Sequence, residues 1–392
     1  MKEMQVVACD KPNWQQPEWE NKSELIEVTR KLQNLPPLIS HEDLIDLYKQ
    51  LEQVWLGKAI IFQAGDCAER ITECNNATVF PKVSFLHHMS QMLTSLTGLP
   101  VVTVGRIAGQ YAKPRSQHKE VCAGRVLPVW RGDCVNRPEA TAEARCPLPG
   151  RMLLSYHAAA RTLASIHDYH NTTRQLLRRV WTSHEALLLD YERAQVRSLP
   201  NGRRYLSSTH WPWIGIRTLD LAGPHIGLLS QMDNPIACKI SGAVSPAMLA
   251  QLCRQLNPRK IPGRLTFIAR FGAAKIRQLG RSVDAVMDTG IPVLWMCDPM
   301  HGNTRKTPMG NKRRDVSEMM AEISGFQQQI AERNACCAGL HLETTADDIV
   351  ECFGAGYQPD EQTLQRVLCD PRLNAQQTSA LLTHWKNLRE TL

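Results

Sequence analysis

The chain has 392 residues, 43% of them hydrophobic and 21% charged, with 46 Lys and Arg against 38 Asp and Glu for a net charge of +8. That is enough for one large α/β domain or two medium ones, and the balance is that of a globular protein, not of a disordered or fibrous one. The cations are dispersed, no nucleic-acid-binding motif is present, and no apolar run is long enough to cross a bilayer. Neither nucleic acid nor a membrane is therefore expected as a partner. The thirteen cysteines are odd in number, and Met1–Val7 lacks the apolar core of a secretory signal. This usage predicts a cytoplasmic protein with free thiols, most of them buried as small hydrophobes.

Residues 1–38 read as a polar N-terminal arm, with Trp14 and Trp19 packed on the main body or on a partner subunit and a break at Pro36-Pro37. Residues 39–392 read as one catalytic domain. Ser40 predicts an N-cap with Asp43 in the capping-box position, and Leu44, Leu47, Tyr48, Leu51 and Trp55 follow at helical spacing up to Gly57.

From there one theme repeats: a short apolar run ends in polar residues, and an amphipathic helix usually follows. The runs are 59–64, 100–104, 180–183, 205–209, 236–240, 265–269, 292–297 and 338–342. They are continuous and β-branched, as buried parallel strands are. Helix stripes are visible at Phe85, Met89, Met92, Leu93 and Leu96, after the Ser245-Pro246 cap, and at Val316, Met319, Ile323, Phe326 and Ile330. Eight such units predict a (β/α)8 TIM barrel with a short N-terminal extension, its active site on the rim where the strands end. A doubly wound sheet is the alternative, but the first strand lacks a dinucleotide-binding glycine fingerprint. The segment 117–150 interrupts the second unit and is expected as an ordered rim loop.

The stretch Gly105-Arg106-Ile107-Ala108-Gly109-Gln110-Tyr111-Ala112-Lys113-Pro114-Arg115-Ser116 follows the second strand. Its glycines allow close backbone approach, and its Arg, Lys and Ser suit a phosphate or carboxylate. Other strand ends carry Cys67, Glu185, Arg217, Lys239, Arg270, His301 and Glu343, with Asp370 shortly after the last. Cys67, His301, Glu343 and Asp370 are potential ligands for a divalent metal of mixed soft and hard character. Arg106, Lys113, Arg115, Arg217, Lys239 and Arg270 can bind more than one anionic group. Taken singly, the thiol reads as a buried hydrophobe, His301 as a core polar group and the acids as ion-pair partners. Eight strand ends all bearing such groups favour a site.

Gly105–Ser116, Thr182-Ser183-His184-Glu185, Cys297-Asp298-Pro299-Met300-His301-Gly302-Asn303-Thr304 and Leu340-His341-Leu342-Glu343 resemble, in order, the class II 3-deoxy-D-arabino-heptulosonate 7-phosphate (DAHP) synthases. Ser208–Gly215 and the compact N-terminus look most like the short form of phenazine-type antibiotic pathways. The resemblance implies condensation of phosphoenolpyruvate with erythrose 4-phosphate in a cytoplasmic homo-oligomer. It implies Cys67, His301, Glu343 and Asp370 as ligands of Mn²⁺ or Co²⁺, and Arg106, Arg217, Lys239 and Arg270 as phosphoenolpyruvate contacts. Lys113, Arg115 and Ser116 would hold the aldose phosphate, and Glu185, Lys239 and Arg106 would serve catalysis. Longer relatives carry extra helices for feedback inhibition by aromatic amino acids, so none is expected here. Two departures fall in the phosphoenolpyruvate pocket: Ile216 where the family has an acid before Arg217, and Ile240-Ser241-Gly242 after Lys239. Variants of this resemblance are the same chemistry on another aldose phosphate, such as the imino analogue of aminoshikimate routes, or a non-catalytic paralogue acting as an assembly partner.

Overall fold

A computed structural model describes residues 15–122, 124–173, 179–354 and 356–389. Eight parallel strands form the centre: β1 Ile60–Gly65, β2 Val101–Arg106, β3 Trp181–Glu185, β4 Trp211–Ile214, β5 Ile236–Ile240, β6 Leu265–Ala269, β7 Leu294–Cys297 and β8 Cys336–Glu343. They close into a barrel in the order β1-β8-β7-β6-β5-β4-β3-β2. The expected (β/α)8 barrel is therefore the fold.

Alternation along each strand explains why both faces are apolar. Ile60, Phe62 and Ala64 face outward and join a core with helix residues such as Val83, Leu86 and Leu93. Ile61, Val102, Val104, Trp181, Trp211, Ile268 and Met296 fill the barrel interior. Each such side chain stabilises the fold by about 1.5–3 kcal/mol on burial.

The helix His41–Trp55 begins with the expected Ser40–Asp43 capping box, and Gly57 has φ 71°. Its Leu47, Leu51 and Val54 belong to the interior cluster. The thiol of Cys336, the first residue of β8, donates to the Val54 carbonyl, so this helix plugs the end where strands begin. The opposite end is left open for chemistry. The helices Asn76–Thr97, Pro246–Leu256 and Val316–Ala331 match the apolar stripes, and Gly98 ends the first at φ 69°.

One expectation changes. The fourth strand is Trp211–Ile214, and not the run 205–209. Arg204–Leu206 instead pairs antiparallel with Val196–Ser198 outside the barrel. Pro212 hid the true strand, because proline inside a run demotes it as a central strand; here Trp211–Ile214 is only four residues long and pairs with β3 and β5. Within the N-terminal arm, Lys22–Asn34 is a helix capped by Asn21. Its Val28 and Leu32 pack with Met152, Tyr156 and Leu187 in a second core, to which Trp19 also belongs. Trp14 lies outside the described residues. The segment 117–150 is ordered as expected, and contains a hairpin, Lys119–Cys122 with Arg125–Pro128, and a short helix, Ala142–Arg145. Among the described residues no helix is long and apolar enough to cross a membrane.

Candidate active site

Strand ends bring Cys67, Arg106, Lys113, Arg115, Ser116, Glu185, Arg217, Lys239, Arg270, His301, Glu343 and Asp370 to one cavity of about 200 Å³ at the open end of the barrel. All twelve lie along its lining, as does Ile216, whereas Ile240, Ser241 and Gly242, expected in the same pocket, do not. Their surroundings divide the twelve into a buried floor and a more open rim.

On the floor, Glu343 ends β8 and is fully buried. Arg106, at the end of β2, donates to its Oε1 at 2.8 Å, and Arg314 donates to its Oε2 at 2.7 Å. Burial alone would raise the Glu343 pKa, but His301, Lys113, Arg314 and Arg106 hold this carboxyl well below the usual range. Arg106 also donates to the Asp66 carbonyl at 3.1 Å and lies 2.7 Å from His341 Nε2. The other nitrogen of His341 is 2.7 Å from Gln63 Oε1, and Gln63 donates to Ser183. This chain of partners runs from the barrel interior to the cavity floor and fixes the Arg106 guanidinium. Its face is covered by the Trp213 ring at 5.1 Å, a cation–π contact.

Lys239 projects from β5 and donates to Asp298 at 2.9 Å. Burial, opposed by Asp298, lowers its ammonium to about 8. The same Asp298 stands 2.8 Å from His301 Nδ1, which leaves the other ring nitrogen, Nε2, 3.2 Å from Glu343. Burial lowers the His301 pKa, against the pull of Asp298 and Glu343, and so favours the neutral imidazole that metals bind. Lys113 donates to the Cys67 carbonyl at 3.0 Å and to Asp370 at 2.9 Å.

His301, Glu343 and Asp370 offer ligand atoms that all lie within 4.8 Å of one another. An imidazole held in one tautomer by a carboxylate and two ionised carboxylates suit a divalent cation. Cys67, the fourth expected ligand, lines the same cavity but is not in that group. Its thiol hydrogen-bonds Cys369, which lowers its pKa, with Lys113 adding to the effect against burial.

The loop after β2 is built by a residue the sequence reading passed over as a partner. The Glu69 carboxylate accepts the backbone N–H groups of Ala108, Gly109 and Gln110 at 2.9, 2.8 and 2.7 Å. Ala108 takes φ 63°, and a Cβ on Gly109 would sit 2.1 Å from the His184 ring. Glycine is needed there for the approach. The loop in turn places Gln110, whose amide oxygen accepts the Glu185 N–H at 3.0 Å. Glu185 Oε1 is buried with no hydrogen-bond partner among the described residues. A Cβ on Gly215 would approach it to 2.0 Å, so this carboxylate lies directly on the backbone after β4.

At the rim, the Arg115 guanidinium reaches Glu120 at 2.7 Å, and its N–H donates to Gln15 of the arm at 2.8 Å. Arg270 donates to the His301 carbonyl at 3.2 Å. Arg217 is exposed and donates to Ser116 Oγ at 2.6 Å. Ile216 lines the cavity and also packs against the main core.

Sequence reasoning missed Arg314, Lys312 and Trp213. Lys312-Arg313-Arg314 looks like any basic run, yet its members part company. Lys312 donates to Asp370 at 2.7 Å, Arg313 pairs with Asp315 over the Phe353 ring, and Arg314 turns in to Glu343. No local signal separates them.

A model of the class II DAHP synthetase family matches residues 5–179 and 168–384. The chain is 42% identical over 385 residues, 97% of its length and 96% of the relative's, to a probable phospho-2-dehydro-3-deoxyheptonate aldolase of Pseudomonas fluorescens. It is 36% identical to the phospho-2-dehydro-3-deoxyheptonate aldolase of Streptomyces coelicolor, covering 94% and 93% of the two chains. A solved structure of phospho-2-dehydro-3-deoxyheptonate aldolase from Francisella tularensis superposes with a TM-score of 0.57 over 93% of this chain and 96% of that one, at 14% identity, a likeness of fold. With its strand-end motifs gathered into one cavity, this chain belongs to the class II DAHP synthetase family.

Proposed function

We propose that this enzyme joins phosphoenolpyruvate, erythrose 4-phosphate and water into DAHP and phosphate. The observation that carries the reading is the single cavity in which buried cations surround a three-residue metal-ligand group. Phosphoenolpyruvate bears a carboxylate and a phosphate, and Arg106, Lys239, Arg270 and Arg217 are the cations that orient it and offset its charge. Lys113, Arg115 and Ser116 take the phosphate of the aldose. His301, Glu343 and Asp370, with Cys67 beside them, would hold Mn²⁺ or Co²⁺. A cation bound there supplies Lewis acidity for the aldehyde carbonyl.

The chain's own residues do the rest. C3 of phosphoenolpyruvate bonds to the aldehyde carbon, and the former carbonyl oxygen gains a proton. Lys239, with an ammonium near 8, can hold such a proton at Nζ close to neutral pH. Water then adds at C2, losing a proton, and phosphate leaves as the keto group forms. Glu185 Oε1, buried and without a partner among the described residues, is suited to receive that proton. Arg106 is fixed before substrate arrives and needs no reorganisation. The same reading carries residues 39–392 as the catalytic barrel, a cytoplasmic homo-oligomer, no feedback inhibition by aromatic amino acids, and a supply role for a phenazine-like branch.

Mass spectrometry of the products from phosphoenolpyruvate with erythrose 4-phosphate, and separately with the imino analogue, tests the substrate. A heptulosonate 7-phosphate formed from the first alone supports the reading. Product from the analogue alone reassigns the aldose, and no product from either sinks the catalytic role.

A further inference from the structure

Behind the β6 and β7 ends, a carboxylate from outside the barrel reaches both. Glu322 lies on the helix Val316–Ala331 and is fully buried. Its Oε1 accepts the backbone N–H groups of Phe271 and Gly272, each at 2.8 Å. Its Oε2 accepts the Asn303 side-chain amide at 2.8 Å. Asn303 in turn accepts the Ala273 N–H at 3.0 Å and donates to the Pro299 carbonyl at 2.8 Å. One carboxylate therefore ties the residues next to Arg270 to the turn that carries His301.

The helix can come this close because Gly325, one turn on, lies against Ile276; a Cβ there would sit 2.3 Å from that side chain. The two loops meet backbone to backbone, since a Cβ on Gly302 would lie 2.3 Å from the Gly272 nitrogen. Burial pushes the Glu322 carboxyl up, against the N–H groups of Gly272 and Phe271 and the Asn303 amide; these bonded neighbours are all donors and would leave the O–H of a protonated acid no acceptor, so they favour the ionised form.

We propose that Glu322 is a positioning residue for phosphoenolpyruvate, setting Arg270 at a fixed place relative to His301 without touching substrate. The inference rests on the reading of Arg270 as a phosphoenolpyruvate contact. Donor and acceptor counting explains why glutamate is required. All three neighbours are donors, so the group must be an acceptor at both oxygens. Glutamine has the same shape, but its NH2 must face either two backbone N–H groups or the Asn303 amide. Asn303 cannot flip to relieve this, because its oxygen serves Ala273 and its nitrogen serves Pro299.

The test is Glu322→Gln in the full chain, measuring Michaelis constants for both substrates and phosphoenolpyruvate binding by calorimetry without the aldose. The expected result is roughly tenfold weaker phosphoenolpyruvate binding, the scale of one lost charge-assisted contact, with the aldose constant within about twofold. A general loss of structure would move both constants together, so equal shifts overturn the proposal, as does an unchanged phosphoenolpyruvate constant. If Glu322→Gln does not fold, Glu322→Asp, which keeps two acceptor oxygens but is one methylene short, is read by the same split. Wild-type protein that makes no DAHP refutes the functional reading itself, whereas active wild type with an unshifted variant refutes only the role of Glu322.

Discussion

At the floor of the cavity Glu343 is bonded by Arg106 and Arg314 at 2.8 and 2.7 Å, and all three are buried to within 2% of full. At the rim the Arg115 guanidinium reaches a partly exposed Glu120, and the exposed Arg217 reaches Ser116. Both regions gather cations, but the floor charges are sealed from water, whereas Arg217 is exposed and the Arg115–Glu120 pair is partly so. A buried network is costly to break, because removing one member strands the others. A rim pair is screened by water and contributes little to stability. On the proposed function, changes at the floor should therefore cost fold and reaction together, and changes at the rim should act on substrate binding alone.

The sharpest way to break this contrast is Arg314→Met, which leaves Glu343 Oε2 without its donor. Chemical denaturation should show a loss of about 3–5 kcal/mol, with activity falling in step, as expected for an uncompensated buried charge. A loss below 1 kcal/mol would place Arg314 with the rim.

Metal removal comes next. Exhaustive chelation should abolish turnover, and Mn²⁺ or Co²⁺ should restore it. Because Cys67 stands outside the group formed by His301, Glu343 and Asp370, Cys67→Ala should weaken metal binding roughly 10- to 100-fold and Glu343→Gln more than that. Metal titration of both variants ranks them, and an unaltered Cys67→Ala removes it from the ligand set.

The floor also predicts a pH effect. Lys239 is lowered from its ordinary 10.5 to about 8, chiefly by burial, so it is a cation below pH 8 and neutral above it. Since a cation is needed for an anionic substrate, kcat/KM for phosphoenolpyruvate should fall as pH rises through about 8. Lys239→Arg, charged throughout, should lose that limb even if its overall rate is poorer.

At the rim, Arg115→Ala should raise the Michaelis constant for erythrose 4-phosphate about three- to tenfold and leave melting temperature within a degree or two. The smallest effect is expected from Ser116→Ala. It releases Arg217 from a 2.6 Å bond at an exposed site, worth about twofold to fivefold in substrate affinity. An effect here as large as that of Arg314→Met would erase the distinction between the regions.

Local chemistry made much of this molecule legible from its sequence. The Ser40–Asp43 box, the Gly98 stop and the stripe from Val316 to Ile330 specify helices, because caps and apolar periodicity act within a few residues. Seven of the eight strand runs coincide with barrel strands, because parallel strands buried on both faces must be apolar throughout. The twelve site residues follow from strand ends sharing one rim in a closed barrel. Tertiary structure alone decided the rest. Trp211–Ile214 became β4 despite Pro212, because pairing with β3 and β5 outweighs local propensity. Arg314 was chosen from three adjacent cations by its reach to Glu343, and Glu69 and Glu322 found their backbone partners 39 to 51 residues away. Such contacts depend on how distant segments fold against each other, and composition or spacing along the chain cannot carry that information.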